Sequence, residues 1–261
     1  SVSHDDQIMA YSVDLKGSEY YDIFLRDLST NQLLEKKIEN TSGSITWSLD
    51  SKSFFYTPLD KYHRSKKIYK HVLGTSINND QLIFEEKDNS FSVSISLTSD
   101  EKFFVITTSD SNTVEEFFFP TINENIKPQL FKARKKSVRY SIDSFKNHWY
   151  VHTNEDALDY QILRCNHNNI KKLEVFIAPK DETIIGGLDF LDDYIVRAEK
   201  SDAIPKIFIR NIDTNDEEEL IVSKEPVGSP GVSLIQKNTN TTKIRISWDS
   251  LATPGKIYEY D

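Results

Sequence analysis

Ser44-Ile-Thr-Trp-Ser-Leu-Asp-Ser-Lys-Ser-Phe-Phe-Tyr-Thr57 sets a short apolar strand, a polar turn and an aromatic strand side by side. Aromatic and β-branched residues on both sides of a Ser/Asp-rich turn read as an antiparallel hairpin. Working outward, the loop Pro58 to Lys66 leads to Lys67-Ile-Tyr-Lys-His71, and Leu73-Gly-Thr-Ser76 supplies a second turn. Gln81-Leu-Ile-Phe-Glu85 then gives a fourth strand. Four short antiparallel strands in sequence order form one propeller-like blade.

The apolar pair inside the third strand recurs along the whole chain. Ile23-Phe24, Ile68-Tyr69, Phe117-Phe118, Ile162-Leu163, Ile207-Phe208 and Ile257-Tyr258 stand 45, 49, 45, 45 and 50 residues apart. A period of about 40 to 50 residues with four strands per repeat predicts an all-β chain of the β-propeller class. The six copies divide 1-261 into blade-like repeats at roughly 1-40, 41-88, 89-137, 138-182, 183-226 and 227-261, within a single domain.

The third copy reads as strands Phe91 to Ser96, Phe103 to Thr107, Glu116 to Phe119 and Gln129 to Lys132. The fourth uses Tyr140 to Asp143, Trp149 to Thr153, Tyr160 to Arg164 and Leu173 to Ile177. The fifth uses Gly187 to Phe190, Tyr194 to Ala198, Lys206 to Arg210 and Glu219 to Val222. The end copies are shorter: Ile8 to Val13, Tyr21 to Arg26 and Leu33 to Ile38 at one end, Val232 to Ile235, Lys243 to Ser247 and the stretch around Tyr258 at the other. Ser3-His-Asp-Asp6 corresponds to the turn after a first strand, so one strand is expected to be missing at each end. Such open edges favour self-association. Trp47, Phe54, Phe55, Phe103, Phe104, Phe118, Trp149, Phe208 and Trp248 occupy recurring strand positions and are expected to be core.

Composition narrows the function. Among 261 residues, 41 Asp and Glu outnumber 32 Lys and Arg, a formal charge of −9. That balance excludes a general nucleic-acid binder, which needs a basic face. It suits cationic peptides or proteins as partners, and equally serves to keep a cytosolic protein soluble. No apolar run is long enough for a membrane helix. Cys165 is the one cysteine, so no intramolecular disulfide exists, and a lone thiol fits the reducing cytoplasm. The charge runs Asp216 to Glu219, Lys132 to Lys136 and Lys66-Lys67 fall beside hairpin turns and read as solvated loop tips.

Motifs for chemistry are sparse. A serine hydrolase on this kind of scaffold would show Gly-x-Ser-x-Gly, and none of the eight glycines forms it; Gly228-Ser-Pro-Gly231 has the wrong spacing. His148 and His152 share a strand face but stand roughly 13 Å apart, too far for one zinc ion. Cys165 occupies the strand position that Arg26, His71 and Arg210 hold in other copies, so it reads as an ordinary strand residue. Glu85-Glu86 and Glu115-Glu116 lie at strand ends and read as solvated or lysine-paired. Asp143 and Asp189 fall near inner strands, where convergence would favour carbohydrate chemistry. No catalytic, cofactor-binding or metal residue is assigned, and no cofactor is expected.

The longer stretch His63-Arg64, Ile68-Tyr-Lys-His71, Leu73-Gly-Thr75 and Asp80-Gln-Leu-Ile-Phe-Glu-Glu-Lys-Asp88 resembles the oligopeptidase B (protease II) group of the prolyl oligopeptidase family of serine peptidases. Met9-Ala-Tyr-Ser-Val-Asp14, Gly17-Ser-Glu19, Asn40-Thr-Ser-Gly43, Ala252-Thr-Pro254 and Ile257-Tyr-Glu-Tyr-Asp261 extend the resemblance over essentially the whole chain. It implies a seven-bladed propeller, here blades two to seven, followed by a C-terminal α/β-hydrolase domain that cleaves short peptides after Lys or Arg. The family's catalytic triad and the carboxylates that bind basic side chains belong to that domain, so none maps onto this chain. The chain would cap the active site and gate entry, inactive by itself. The competing reading is a stand-alone propeller scaffold for protein partners.

Overall fold

The computed structural model describes residues 1–34, 37–123, 127–223, 228–234 and 241–261. It is built of antiparallel strands, with one 3-10 turn at Ile77–Asn79 among the described residues. Two compact units, Ser1–Ser137 and Val138–Asp261, make up the chain.

In the first unit, β1 (Ile8–Val13), β2 (Tyr21–Asp27), β3 (Ile38–Trp47), β4 (Ser53–Pro58), β5 (Lys67–Val72) and β6 (Gln81–Glu85) form one six-stranded sheet in sequence order. The second sheet holds β7 (Ser92–Leu97), β8 (Phe103–Ser109), β9 (Val114–Pro120) and β10 (Gln129–Lys132).

The six-stranded sheet departs from the reading of separate first and second copies. Instead of a strand at Leu33 to Ile38 and another at Ser44 to Trp47, one ten-residue strand, β3, serves both. Thr41 pairs with Tyr21 on one side and Pro58 on the other. Leu33 makes only an isolated bridge to Arg26, and residues 35 and 36 lie outside the described part. The continuity depends on Gly43, at φ +83°, where a Cβ would sit 3.0 Å from both Ser12 Oγ and the Tyr21 ring. Only glycine adopts that backbone at little cost and also leaves room for both neighbours.

The repeated turn follows from its residues. At Ser3, Ser48 and Thr98 the backbone N–H donates to the carbonyl of Ile8, Ser53 and Phe103, at 2.9 Å in each case. Asp6, Ser51 and Glu101 take positive φ in the same place, and Asp5, Asp50 and Asp100 accept from the backbone N–H two residues on. Short polar side chains that replace backbone hydrogen bonds are what such a turn needs. Residues 1–3 also lie against β1, through the Val2–Met9 bridge and Ala10 N–H to Ser1 O at 2.9 Å.

The second unit holds β11 (Tyr140–Phe145), β12 (His148–Thr153), β13 (Gln161–Asn166) and β14 (Glu174–Ile177) in one sheet. Its next sheet contains β15 (Thr183–Phe190), β16 (Tyr194–Ser201), β17 (Ile204–Asn211) and β18 (Glu217–Glu219), and the last contains β19 (Ser229–Leu234), β20 (Ile244–Asp249) and β21 (Lys256–Tyr260). The expected end of β19 at Ile235 lies outside the described residues. The fifth copy's outer strand is Glu217–Glu219 rather than Glu219 to Val222.

Apolar clusters sit between neighbouring sheets. Phe55 and Ile68 meet Val93, Phe104, Ile106 and Phe119 in the first unit. In the second unit Tyr150 and Ile162 meet Ile185, Phe190 and Ile195, while Val196 and Ile207 meet Ile244 and Ile246. Each such side chain removed from water stabilises by about 1.5–3 kcal/mol. Of the nine aromatics expected in the core, Trp47, Phe54, Phe55, Phe104, Phe118, Trp149 and Trp248 are buried, and Phe103 and Phe208 half-buried. The recurring pair lies in β2, β5, β9, β13, β17 and β21. Ile23, Ile68, Ile162 and Ile207 are at most 2% exposed, whereas Ile257 is 72% exposed on the edge strand β21.

Candidate functional site

Several polar constellations could carry chemistry, and burial decides what each can do. In the first sheet, His71 Nδ1 lies 2.8 Å from Asp80 Oδ1, and the Tyr56 hydroxyl donates to Asp80 Oδ2 at 2.8 Å. The His71 and Asp80 side chains are 1% and 2% exposed, and Phe54 packs on the imidazole at 5.3 Å. Burial, with the Asp80 hydrogen bond, pushes the Tyr56 hydroxyl pKa far up. A histidine–aspartate pair sealed this way reaches no substrate. It clips β4, β5 and the turn before β6 together, which gives the stretch His71 to Asp80 a structural reason for its composition.

In the second unit, Ser144 Oγ lies 2.9 Å from His167 Nε2, with Trp149 5.2 Å from the His167 ring. Ser144 is 0% exposed, so this serine is no accessible nucleophile. Cys165 is a buried β13 residue paired with Trp149, and burial pushes its thiol up to about 11. At neutral pH it stays a thiol rather than the thiolate a nucleophile needs. Among the described residues no group of three or more His, Cys, Asp or Glu is placed to hold a metal ion. His148 Nδ1 contacts the Lys146 carbonyl at 3.0 Å, and His152 Nε2 contacts the Ile185 carbonyl at 2.7 Å.

Asp143 and Asp189 do not converge. Asp143 lines a small cavity beside β15 together with Leu188 and Phe190. Asp189 alternates with those two along β15 and so faces the other side of the sheet.

The charge runs are not simple loop tips. Arg134, inside the run Lys132 to Lys136, bonds Glu86 Oε2 at 2.5 Å and Glu115 Oε2 at 2.7 Å. Glu86 and Glu115 are buried, and Glu116, also buried, accepts from Thr107 Oγ1 at 2.9 Å. Glu217, inside the run Asp216 to Glu219, belongs to β18 and binds Arg197 through two bonds of 2.7 and 3.0 Å. Sequence spacing carries no sign of these pairings, because Arg134 and Glu86 are 48 residues apart.

An open groove of about 1020 Å³ beside β3 is lined by Leu34, Lys37, Glu39, Tyr56, Pro58 and Ile77 among others. Lys37 is already paired with Asp22 at 2.6 Å and Glu39 at 3.0 Å, so the lysine of the groove wall is engaged by carboxylates of the chain itself.

Comparison with known proteins places this architecture. The family model for the prolyl oligopeptidase N-terminal beta-propeller domain matches residues 1–261. The chain belongs to that family. Its propeller is 29% identical over 99% of its length to dipeptidyl aminopeptidase BI of Pseudoxanthomonas mexicana, and 28% identical over 96% to protease 2 of Moraxella lacunata. It spans 36% of the length of either relative. Among solved structures, oligopeptidase B from Leishmania major superposes with a TM-score of 0.91 at 22% identity, covering 99% of this chain and 38% of that one. Oligopeptidase B from Trypanosoma brucei, in a closed form with covalently bound antipain, gives 0.89 at 24%, covering 98% and 37%. At these identities the superpositions establish the propeller fold. No helix among the described residues is long and apolar enough to cross a membrane.

Proposed function

We propose that this propeller is the non-catalytic part of a serine oligopeptidase resembling oligopeptidase B. An α/β-hydrolase domain in the same cytoplasmic protein would cleave short peptides after Lys or Arg, and the propeller would cover its active site and admit only what fits. The observation that carries the reading is the family match across all 261 residues, in a chain that spans 36% of the protease 2 relative. The rest of such a protein has room for the catalytic groups. Selection by exclusion needs a rigid, packed wall rather than a reactive group in that wall. The lone buried Cys165 supports a reducing compartment.

The 29% identity to dipeptidyl aminopeptidase BI favours a second specificity, release of dipeptides from a free N-terminus. Two substrates separate the readings when the full-length polypeptide is assayed. An N-blocked chromogenic peptide ending in Arg is expected to be hydrolysed, and a free-amine dipeptide chromogen much more slowly. The reverse preference establishes the dipeptidyl reading. A serine-directed phosphonate is expected to label a residue outside 1–261, and labelling of any serine within the propeller overturns the proposal.

A further inference from the structure

Both backbone polar groups of Ile185, in β15, are bonded to residues of the neighbouring sheet. Its N–H donates to the Asp159 carbonyl, in the loop after β12, at 2.9 Å. Its carbonyl accepts from His152 Nε2, on β12, at 2.7 Å. Directly after Ile185 the pairing of β15 with β16 shifts register, leaving Gly186 and Gly187 out of the ladder. A Cβ on Gly186 would lie 2.6 Å from the Ala198 carbonyl oxygen, so the bulged strand presses against β16. A bulge interrupts its own ladder. The two bonds at Ile185 thus fix β15 to the neighbouring sheet where its pairing within its own sheet is broken.

One of those bonds depends on charge. A carbonyl can only accept, so His152 Nε2 carries the proton, and in the neutral ring Nδ1 is bare. The ring is half-buried and stacked on Tyr160 at 4.5 Å and 16°. Among the described residues no carboxylate pairs with it, neither Asp143 on β11 nor Glu155, Asp156 or Asp159 in the loop after β12. Asp143 accepts from the Ser144 N–H at 2.7 Å instead. Tyr150, on the same strand as His152, lies among the cations Arg164, Lys146 and Arg210. From the facing sheet, Asp189 occupies the other side of β15, and Glu199, opposite Ile185 on β16, is held by Arg197 and Lys180. A second proton on the ring would put an unpartnered N–H and a full charge where no counter-charge waits. Burial accordingly lowers the His152 pKa from its ordinary 6.5, outweighing the opposite pull of the Ile185 hydrogen bond.

We infer that His152 is a proton-operated latch between the two sheets: its neutral ring holds the bulge of β15 through the Ile185 carbonyl, and protonation releases the ring to solvent and frees the strand. A histidine whose folded value lies below its unfolded one takes up a proton more readily once released. The contribution of the latch is fully present above 6.5 and is lost as pH falls from there towards the folded value. Within that window the ratio of closed to open seam falls by up to about tenfold per pH unit. The latch stands on the contacts between these sheets and not on the peptidase reading.

Amide hydrogen exchange of Ile184 to Leu188 in the full-length polypeptide, compared one pH unit above and one below 6.5 and corrected for the intrinsic rate, tests it. Protection is expected to drop about three- to tenfold on the acid side. The segment Phe103 to Ser109, in β8, should keep its protection. His152→Gln retains an N–H donor that does not titrate, so its protection should be equal at both pH values. Carbon-13 NMR of histidine-labelled protein should give His152, the resonance missing from the variant, a midpoint below 6.5. Equal protection of the parent on both sides, the same acid loss in folded His152→Gln, or a midpoint at or above 6.5 overturns the latch.

Discussion

Arg134 and Arg197 use the same chemistry in two different settings. Each guanidinium is held by two glutamates and lies over an aromatic ring, Phe91 at 3.9 Å for Arg134 and Phe208 at 5.0 Å for Arg197. Arg134 joins two sheets, because Glu86 follows β6 and Glu115 belongs to β9. Arg197 works inside one sheet: Glu199 lies two residues on in β16, and Glu217 lies in β18. The Arg134 side chain is 28% exposed and that of Arg197 1%. The first is a clamp that solvent partly screens. The second is a buried ion cluster that explains how Glu217-Glu-Glu219, a poor strand sequence by propensity, becomes an outer strand.

The largest effect that tests this contrast is therefore at Arg197. Arg197→Ala leaves the buried Glu199 with Lys180 as its remaining ion partner among the described residues, and removing one partner of a buried pair costs about 3–5 kcal/mol. A urea midpoint close to the parent's would show that the cluster is dispensable. Arg134→Ala loses hydrogen bonds to charged groups at a partly wet site, and should cost about 1–3 kcal/mol. Denaturation in rising salt should weaken the Arg134 contribution more than the Arg197 one. Equal costs for the two variants would remove the distinction between clamp and cluster.

These clusters also mark where the sequence is readable and where it is not. Gln81–Glu85, Gln129–Lys132 and Ile8–Val13 begin and end where aromatic and β-branched enrichment places them. Local composition decides such strands, and the recurring apolar pair decides their order. The fusion of two copies through β3 is not local, since it depends on Gly43 fitting between Ser12 and Tyr21. Nor is the environment of Glu86 or Glu217, which resemble solvated charges until folding brings a distant arginine to them. The small cavity that Asp143 lines beside β15 is equally non-local, because residues from two sheets enclose it. The proposed catalytic domain is suggested by family resemblance alone, because a fold does not by itself encode a reaction.

A smaller effect at the Arg197 cluster is set by pH. The Arg197 hydrogen bond holds the Glu217 carboxyl below its ordinary value of 4.5. A depressed carboxylate contributes stability that is fully present above the unfolded value and is lost as pH falls through the folded one. Glu217→Gln should thus destabilise at pH 7, with the difference from the parent closing as pH falls below about 4.5. A pH-independent difference would mean that Glu217 acts through packing rather than charge.

Asp189 is the counterexample that sharpens the comparison. It lies half-buried on β15, and no described residue gives it a hydrogen bond or an ion pair. Burial alone raises its pKa above the ordinary 3.8. The sign is opposite to that of Glu217. A raised carboxyl favours the fold while protonated, a contribution fully present below the unfolded value and lost as pH rises through the folded one. Above that range the native state carries a desolvated charge without the arginine that Glu199 and Glu217 enjoy. Asp189→Asn keeps the shape and removes the charge, so it should raise the melting temperature at pH 7 and leave it unchanged near pH 3. The gain should stay below the loss at Arg197, since the Asp189 side chain keeps contact with water. If Asp189→Asn lowers stability at neutral pH, the carboxylate has a cationic partner in the native protein, and its solitude among the described residues is not the state in which it works.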